Sequence, residues 1–106
     1  MTPERFQEVV KELQTMTIDI LAKKAIEYSR NDNRFHNFIA AGRRLGCDPI
    51  VALVGMKEKH SVSLADMLED LKDGKLPTRV MLDEKFGDEI NYLILEYAMF
   101  RERIGG

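Results

Sequence analysis

Helix punctuation constrains this chain more than any other feature. Thr2-Pro3 and Asp48-Pro49 each place a capping side chain immediately before a proline. In that order the proline's missing N–H costs nothing and its fixed φ suits the first helical turn. Behind the first signal, Phe6, Val9, Val10, Leu13, Thr17, Ile20 and Leu21 recur at helical spacing, which predicts a helix running to about Tyr28. The run Ser29-Arg30-Asn31-Asp32-Asn33 ends it, because short polar side chains compete for backbone hydrogen bonds and favour turns. A second helix is expected from about Arg34 to Leu45, with Gly46 as its stop. Behind Asp48-Pro49, Leu53, Met56, Leu64, Met67 and Leu71 predict a third helix to about Lys72. Asp73-Gly74 closes it, and Ser61, Val62 and Ser63 are weak helix formers able to bend it. Pro77-Thr78 marks the last connector, and a fourth helix follows from Arg79 or Asp83 to Arg103. No segment alternates with period two. The reading is an all-α fold, a small helical bundle of about four segments in one domain spanning residues 1–106.

Charge narrows the function classes. Lys and Arg number 16 against 18 Asp and Glu, a formal net charge of −2, without the basic excess that attraction to nucleic acid or anionic lipid requires. Arg43-Arg44 is too small a basic spot to change that. Cys47 is the only cysteine, so neither an intramolecular disulfide nor a cysteine-based metal framework is available. No apolar run approaches the ~20 residues of a membrane span, and the amphipathic start Met1-Thr2-Pro3-Glu4-Arg5 does not read as a signal peptide. The expectation is a soluble cytoplasmic protein.

Polar residues on apolar faces are more informative. At about 100° per residue, the fourth helix puts Phe86, Ile90, Leu93, Ile94, Tyr97 and Phe100 on one side, expected as an ordinary core face. Asp88, Tyr92, Leu95 and Met99 fall on the other, with Glu84 and Asn91 beside them. A helix apolar on two faces is either central in its own bundle or shared with another subunit, and the expectation is a homo-oligomer. In the first helix Lys24 and Tyr28 continue the apolar stripe. An ammonium there either snorkels to water or meets an anion. In the third helix His60 shares the face of Leu53, Met56, Leu64 and Met67, and Lys59 lies on the wetter side. A histidine so placed reads first as a hydrogen-bonded core residue and second as a ligand group. The sharper reading is that both stripes, Lys24's and Asp88's, end at one polar pocket.

Glu84 and Asp88, one turn apart, point the same way and suit a hard cation such as Mg²⁺, which takes one or two protein carboxylates and completes its shell with water and phosphate oxygens. Glu27 and Asp32 are further candidate ligands, and Lys24, Arg34 and Lys59 can neutralise phosphate charge. Other chemistries lack their parts. There is no glycine-rich phosphate loop, no histidine near Cys47 in sequence for a nucleophilic pair, and no zinc-like spacing among His36, His60 and Cys47.

The order Lys24-x-x-x-Tyr28, Asn37-Phe38, Lys59-His60-x-x-Ser63 and Glu84-x-x-x-Asp88-x-x-Asn91-Tyr92 resembles small phage and prophage proteins related to the all-α NTP pyrophosphohydrolases, the MazG-like superfamily, including a nucleotide-modification-associated branch. The resemblance spans roughly Leu21 to Glu102. It implies a helical fold that often dimerises, Mg²⁺ (or Mn²⁺) on helix-borne acids, and hydrolysis of a nucleoside triphosphate to monophosphate and pyrophosphate in the cytoplasm, the host's if the chain is phage-encoded. Carried onto this chain, the resemblance implies that Glu84 and Asp88 are the metal ligands and that Asn91 with Tyr92 orients them or contacts the nucleotide. With those four in place, the expectation is that Lys24 and Lys59 are catalytic, holding the phosphoryl group that is attacked, and that Tyr28, Arg34, Asn37 and His60 join Asn91 and Tyr92 in binding the nucleotide. One departure stands out: typical members bring a second acidic pair, E-x-x-E, where this chain has Lys59-His60-x-x-Ser63. Fewer carboxylates bind metal less tightly, which keeps two alternatives open beside hydrolysis: a non-catalytic nucleotide-sequestering protein and a protein-interaction module.

Overall fold

The computed structural model describes residues 1–106 as four helices. They are α1 (Pro3–Tyr28), α2 (His36–Leu45), α3 (Pro49–Lys72) and α4 (Arg79–Arg103). There is no β-strand, only an isolated bridge between Arg30 and Asn33.

Three starts are capped by the side chains just before them. Thr2 accepts from the Arg5 amide at 3.1 Å, Asp48 from Ile50 at 2.8 Å and Thr78 from Met81 at 3.2 Å, each satisfying an orphan donor of a first turn. Gly46 ends α2 with φ 71°, the left-handed conformation that a side chain disfavours. α2 begins at His36 instead of Arg34, because residues 30–35 are used by the preceding turn. Asn31 and Asp32 take consecutive φ of 53° and 57°, a conformation short polar side chains tolerate. The Asn33 amide donates to the Arg30 carbonyl at 2.8 Å, and the Asn33 carboxamide accepts from the Phe35 amide at 2.9 Å. α3 runs unbroken through Ser61-Val62-Ser63, where the Ser61 hydroxyl donates to Glu89 of α4 at 2.9 Å.

The core lies between α2, α3 and the second half of α4: Phe38, Ile50, Leu53, Leu95 and Met99, with Leu21, Phe35, Val54, Met56 and Tyr92 packed around it. α3 and α4 run antiparallel, joined by Lys57–Glu96 at 3.0 Å and by Arg103, which pairs with both oxygens of the α3 cap Asp48 at 3.0 Å. α1 crosses α4 at Gly87, where a Cβ would stand 2.8 Å from Ile20 Cδ1 and 3.3 Å from Met16 Cε. Glycine there lets the two helices approach closely.

Two expectations about faces are corrected. The side of α4 expected to be core is largely open, with Phe86, Leu93, Tyr97 and Phe100 43%, 47%, 64% and 52% exposed. The opposite side supplies the buried Asn91, Leu95 and Met99. A chain this size forms one core, and α2 and α3 occupy only one side of α4. The α1 stripe is likewise uncovered at Phe6, Val10 and Leu13. Thr17 is the single buried residue of α1, its hydroxyl turned inward to donate to the Leu13 carbonyl at 2.8 Å.

Candidate functional site

Where α1 ends, α2 begins and the middles of α3 and α4 meet, a pocket of about 260 Å³ opens. It is lined by Lys24, Tyr28, Arg34, Asn37, Lys59, His60, Asp88, Asn91 and Tyr92 over an apolar floor of Phe38 and Leu95. Nine of the ten residues expected as metal, phosphate or nucleotide contacts therefore line one pocket. The tenth, Glu84, is exposed one turn before Asp88 and does not line the pocket. Glu27 and Asp32 are also exposed and outside it.

Each element contributes by a simple local device. The last turn of α1 carries Lys24 and Tyr28 one above the other, with the ammonium 5.3 Å from the Tyr28 ring centroid and 3.4 Å from Glu27. Burial pulls the Lys24 ammonium down, but the neighbouring Tyr28 and Glu27 outweigh it and its pKa is raised. The turn at residues 30–33 reverses the chain so that Arg34 faces back toward α4. On α3, His60 lies 3.7 Å from Asp88 (Nδ1 to Oδ2), beyond direct hydrogen-bond reach. Its ring stacks, tilted, 4.9 Å from Tyr92, which in turn meets Phe38 edge-on at 6.2 Å. Burial, with help from Tyr28 and Asp88, raises the Tyr92 hydroxyl above its ordinary range.

The electrostatics of the pocket oppose those of the whole chain. Three permanent cations, Lys24, Arg34 and Lys59, face one carboxylate, Asp88, in a chain of net charge −2. One cation is unsatisfied: the Arg34 Nη2 is buried without a hydrogen-bond partner, and desolvation lowers the pKa of the guanidinium. Asn91, only 5% exposed, likewise has an orphaned Oδ1. Buried polar groups are almost always paired in folded proteins; of the three orphaned side-chain atoms in the chain, those of Arg34 and Asn91 belong to residues lining this pocket, and Glu89 Oε2 lies outside it.

The residues do not form a ready metal cage, since the chain holds no group of three or more His, Cys, Asp or Glu able to grip an ion. Asp88 offers what Mg²⁺ takes from a protein when phosphate oxygens and water complete its shell. A larger groove of about 550 Å³ between α1 and α4 has charges too, but they are spent on one another. Arg5 pairs with Glu12 at 3.2 Å, and Arg79 pairs with Asp83 at 2.9 Å and Glu12 at 3.5 Å.

Phe38 and Leu95 line the pocket without having been expected as site residues; the available signal was that Phe38 follows Asn37 and that Leu95 shares the face of Asp88 and Tyr92, one turn after Asn91. The chain matches no family model, no curated protein and no solved structure.

Proposed function

We propose that the pocket binds a nucleotide by its phosphates, within a cytoplasmic, homo-oligomeric protein. The observation that carries this is the buried, partnerless guanidinium nitrogen of Arg34 in a pocket with three cations and one carboxylate. A phosphate gives such a guanidinium paired, charge-assisted acceptors. Lys24 and Lys59 add compact positive charge, and Tyr28 and Tyr92 offer flat faces to a base. Asn37 and Asn91 can read a base edge or a sugar hydroxyl. At about 260 Å³ the pocket is just below the ~300–1,000 Å³ common for small-molecule sites, so it encloses part of a nucleoside triphosphate and leaves the rest in solvent.

Hydrolysis of the triphosphate to monophosphate and pyrophosphate is the reaction this reading carries furthest, supported by the resemblance of the Glu84–Leu93 stretch to the MazG-like motif. Mg²⁺ held by Asp88 together with phosphate oxygens, with Glu84 on the adjoining turn, would supply charge neutralisation and an acidified water. The lysines would hold the phosphoryl group. A non-catalytic nucleotide binder is the second reading, favoured by the single carboxylate in the pocket. A panel of canonical and modified (d)NTPs with Mg²⁺ or Mn²⁺ separates them. Pyrophosphate release that is lost in Asp88→Asn supports the hydrolase, and thermal stabilisation without release supports the binder. A panel in which no nucleotide either stabilises the protein or is cleaved overturns both.

A further inference from the structure

α1 has 26 residues, about 39 Å of helix, yet buries only Thr17. In proteins most helical stability comes from packing of an apolar face, and α1 leans on the rest of the chain mainly at its crossing with Gly87. Its exposed apolar residues adjoin those of α4. The groove floored by Val9, Leu13, Met16 and Phe86 continues into a second of about 430 Å³ between Leu13, Ile18, Ile90 and Ile94. Leu13 lines both, so they form one strip. Leu93, Tyr97 and Phe100 follow along α4, each nearly half exposed or more.

Surface area indicates how much is missing. A compact monomer of this mass exposes about 6,100 Å², whereas the chain exposes 7823 Å². Its radius of gyration is 16.0 Å, against about 13 Å for a compact domain of this length. The excess of roughly 1,700 Å² per chain, removed from two chains together, amounts to about 3,400 Å², within the range of obligate homodimers. Charge points the same way. At the Arg5 end of the strip the charges that line the groove, Arg5 and Arg79 against Glu12 and Asp83, balance and pair with one another, leaving no excess of one sign for an acidic or basic partner. A surface that is apolar and internally neutral complements itself.

We infer that the α1/α4 strip is an isologous interface at which a second copy of this chain packs the same two helices. The inference deepens the homo-oligomeric part of the proposed function and is independent of what the pocket binds. Sedimentation velocity on the full chain, over a micromolar concentration series, tests it with Phe86→Glu and Leu93→Glu on the strip and Val51→Glu on α3 as a control. The wild type and V51E are expected at twice 12.2 kDa, and the strip variants at 12.2 kDa with helical circular dichroism retained. Should the strip variants unfold, labelling of Tyr97 in the wild type decides, since its reactivity is expected to fall severalfold as concentration rises. A wild type at single-chain mass throughout overturns the homo-oligomer altogether. A dimer that both strip variants leave intact, or Tyr97 labelling independent of concentration in a dimerising wild type, overturns the assignment of this face alone.

Discussion

Replacing Arg34 with methionine separates a ligand-binding group from a structural one, because the two roles predict opposite signs. Without ligand, the Arg34 Nη2 is buried and unpaired, and arginine remains charged at any physiological pH, so the orphaned donor cannot be relieved by deprotonation. An unsatisfied buried polar group costs about 1–3 kcal/mol. Methionine keeps the length and the apolar stem while removing the donor, so Arg34→Met should recover about 1 kcal/mol, equal to about 4–8 °C in Tm for a domain near this size. With a nucleoside triphosphate present, the same change removes charge-assisted hydrogen bonds worth about 1.5–3 kcal/mol, weakening Kd roughly 10- to 100-fold. At a ligand concentration 100 times the wild-type Kd, the wild type gains about 2.7 kcal/mol, and the variant should gain only about 0.4–1.4 kcal/mol. Differential scanning fluorimetry with and without ligand reads both effects: the variant starts higher and gains less. A Tm below wild type in the absence of ligand would make Arg34 a structural residue, and an undiminished ligand shift would remove it from the phosphate site.

The fold makes three further predictions. Leu53, fully buried, lies at the centre of a small core, so Leu53→Ala should cost about 2–5 kcal/mol in urea unfolding; a loss under 1 kcal/mol would mean that α2, α3 and α4 do not close around it. A Cβ at Gly42 would stand 2.8 Å from the Cys47 carbonyl oxygen and 3.2 Å from the Pro49 nitrogen. Backbone atoms cannot swing aside, so Gly42→Ala should lose about 1–2 kcal/mol despite alanine's helix propensity, and an unchanged urea midpoint would contradict the close approach. The Arg103 guanidinium, with the Ile50 amide, holds the Asp48 carboxyl below its ordinary range. A depressed folded pKa contributes stability that is complete above the unfolded value near 4 and is lost as pH falls through the folded one. Asp48→Asn keeps the cap and removes the charge, so its Tm should lie below wild type at pH 7 and converge with it as pH falls through the depressed folded pKa of the carboxyl; parallel Tm curves would deny the ion pair.

Much of the site was legible because chemistry and periodicity conflict there. Lys24 on an apolar stripe and Asp88 beside Leu95 and Met99 are costly positions, and the structure brings both into one pocket. The helix ends were legible from Thr2-Pro3, Asp48-Pro49 and Gly46, since caps act within a few residues. The assignment of faces on α4 was not. Both sides are apolar at the same period, and which one is buried depends on where α2 and α3 dock, a long-range property that periodicity does not carry. Glu84, one turn from Asp88 on the same helix, is exposed and outside the pocket, because which turns of α4 the pocket reaches depends on how the other helices dock. The role of Arg34 as an orphaned donor came only with the turn at residues 30–33, whose two left-handed residues determine where the following side chain faces.

A nitrogen-15 NMR titration of the full chain with a nucleoside triphosphate, with and without Mg²⁺, tests phosphate recognition by this pocket most directly. Amide shifts are expected to concentrate at Lys24, Tyr28, Arg34, Asn37, His60 and the turn of α4 from Asp88 to Tyr92, saturating with a single dissociation constant. Shifts confined to the Val9, Leu13 and Phe86 groove, or none at millimolar nucleotide, would contradict it.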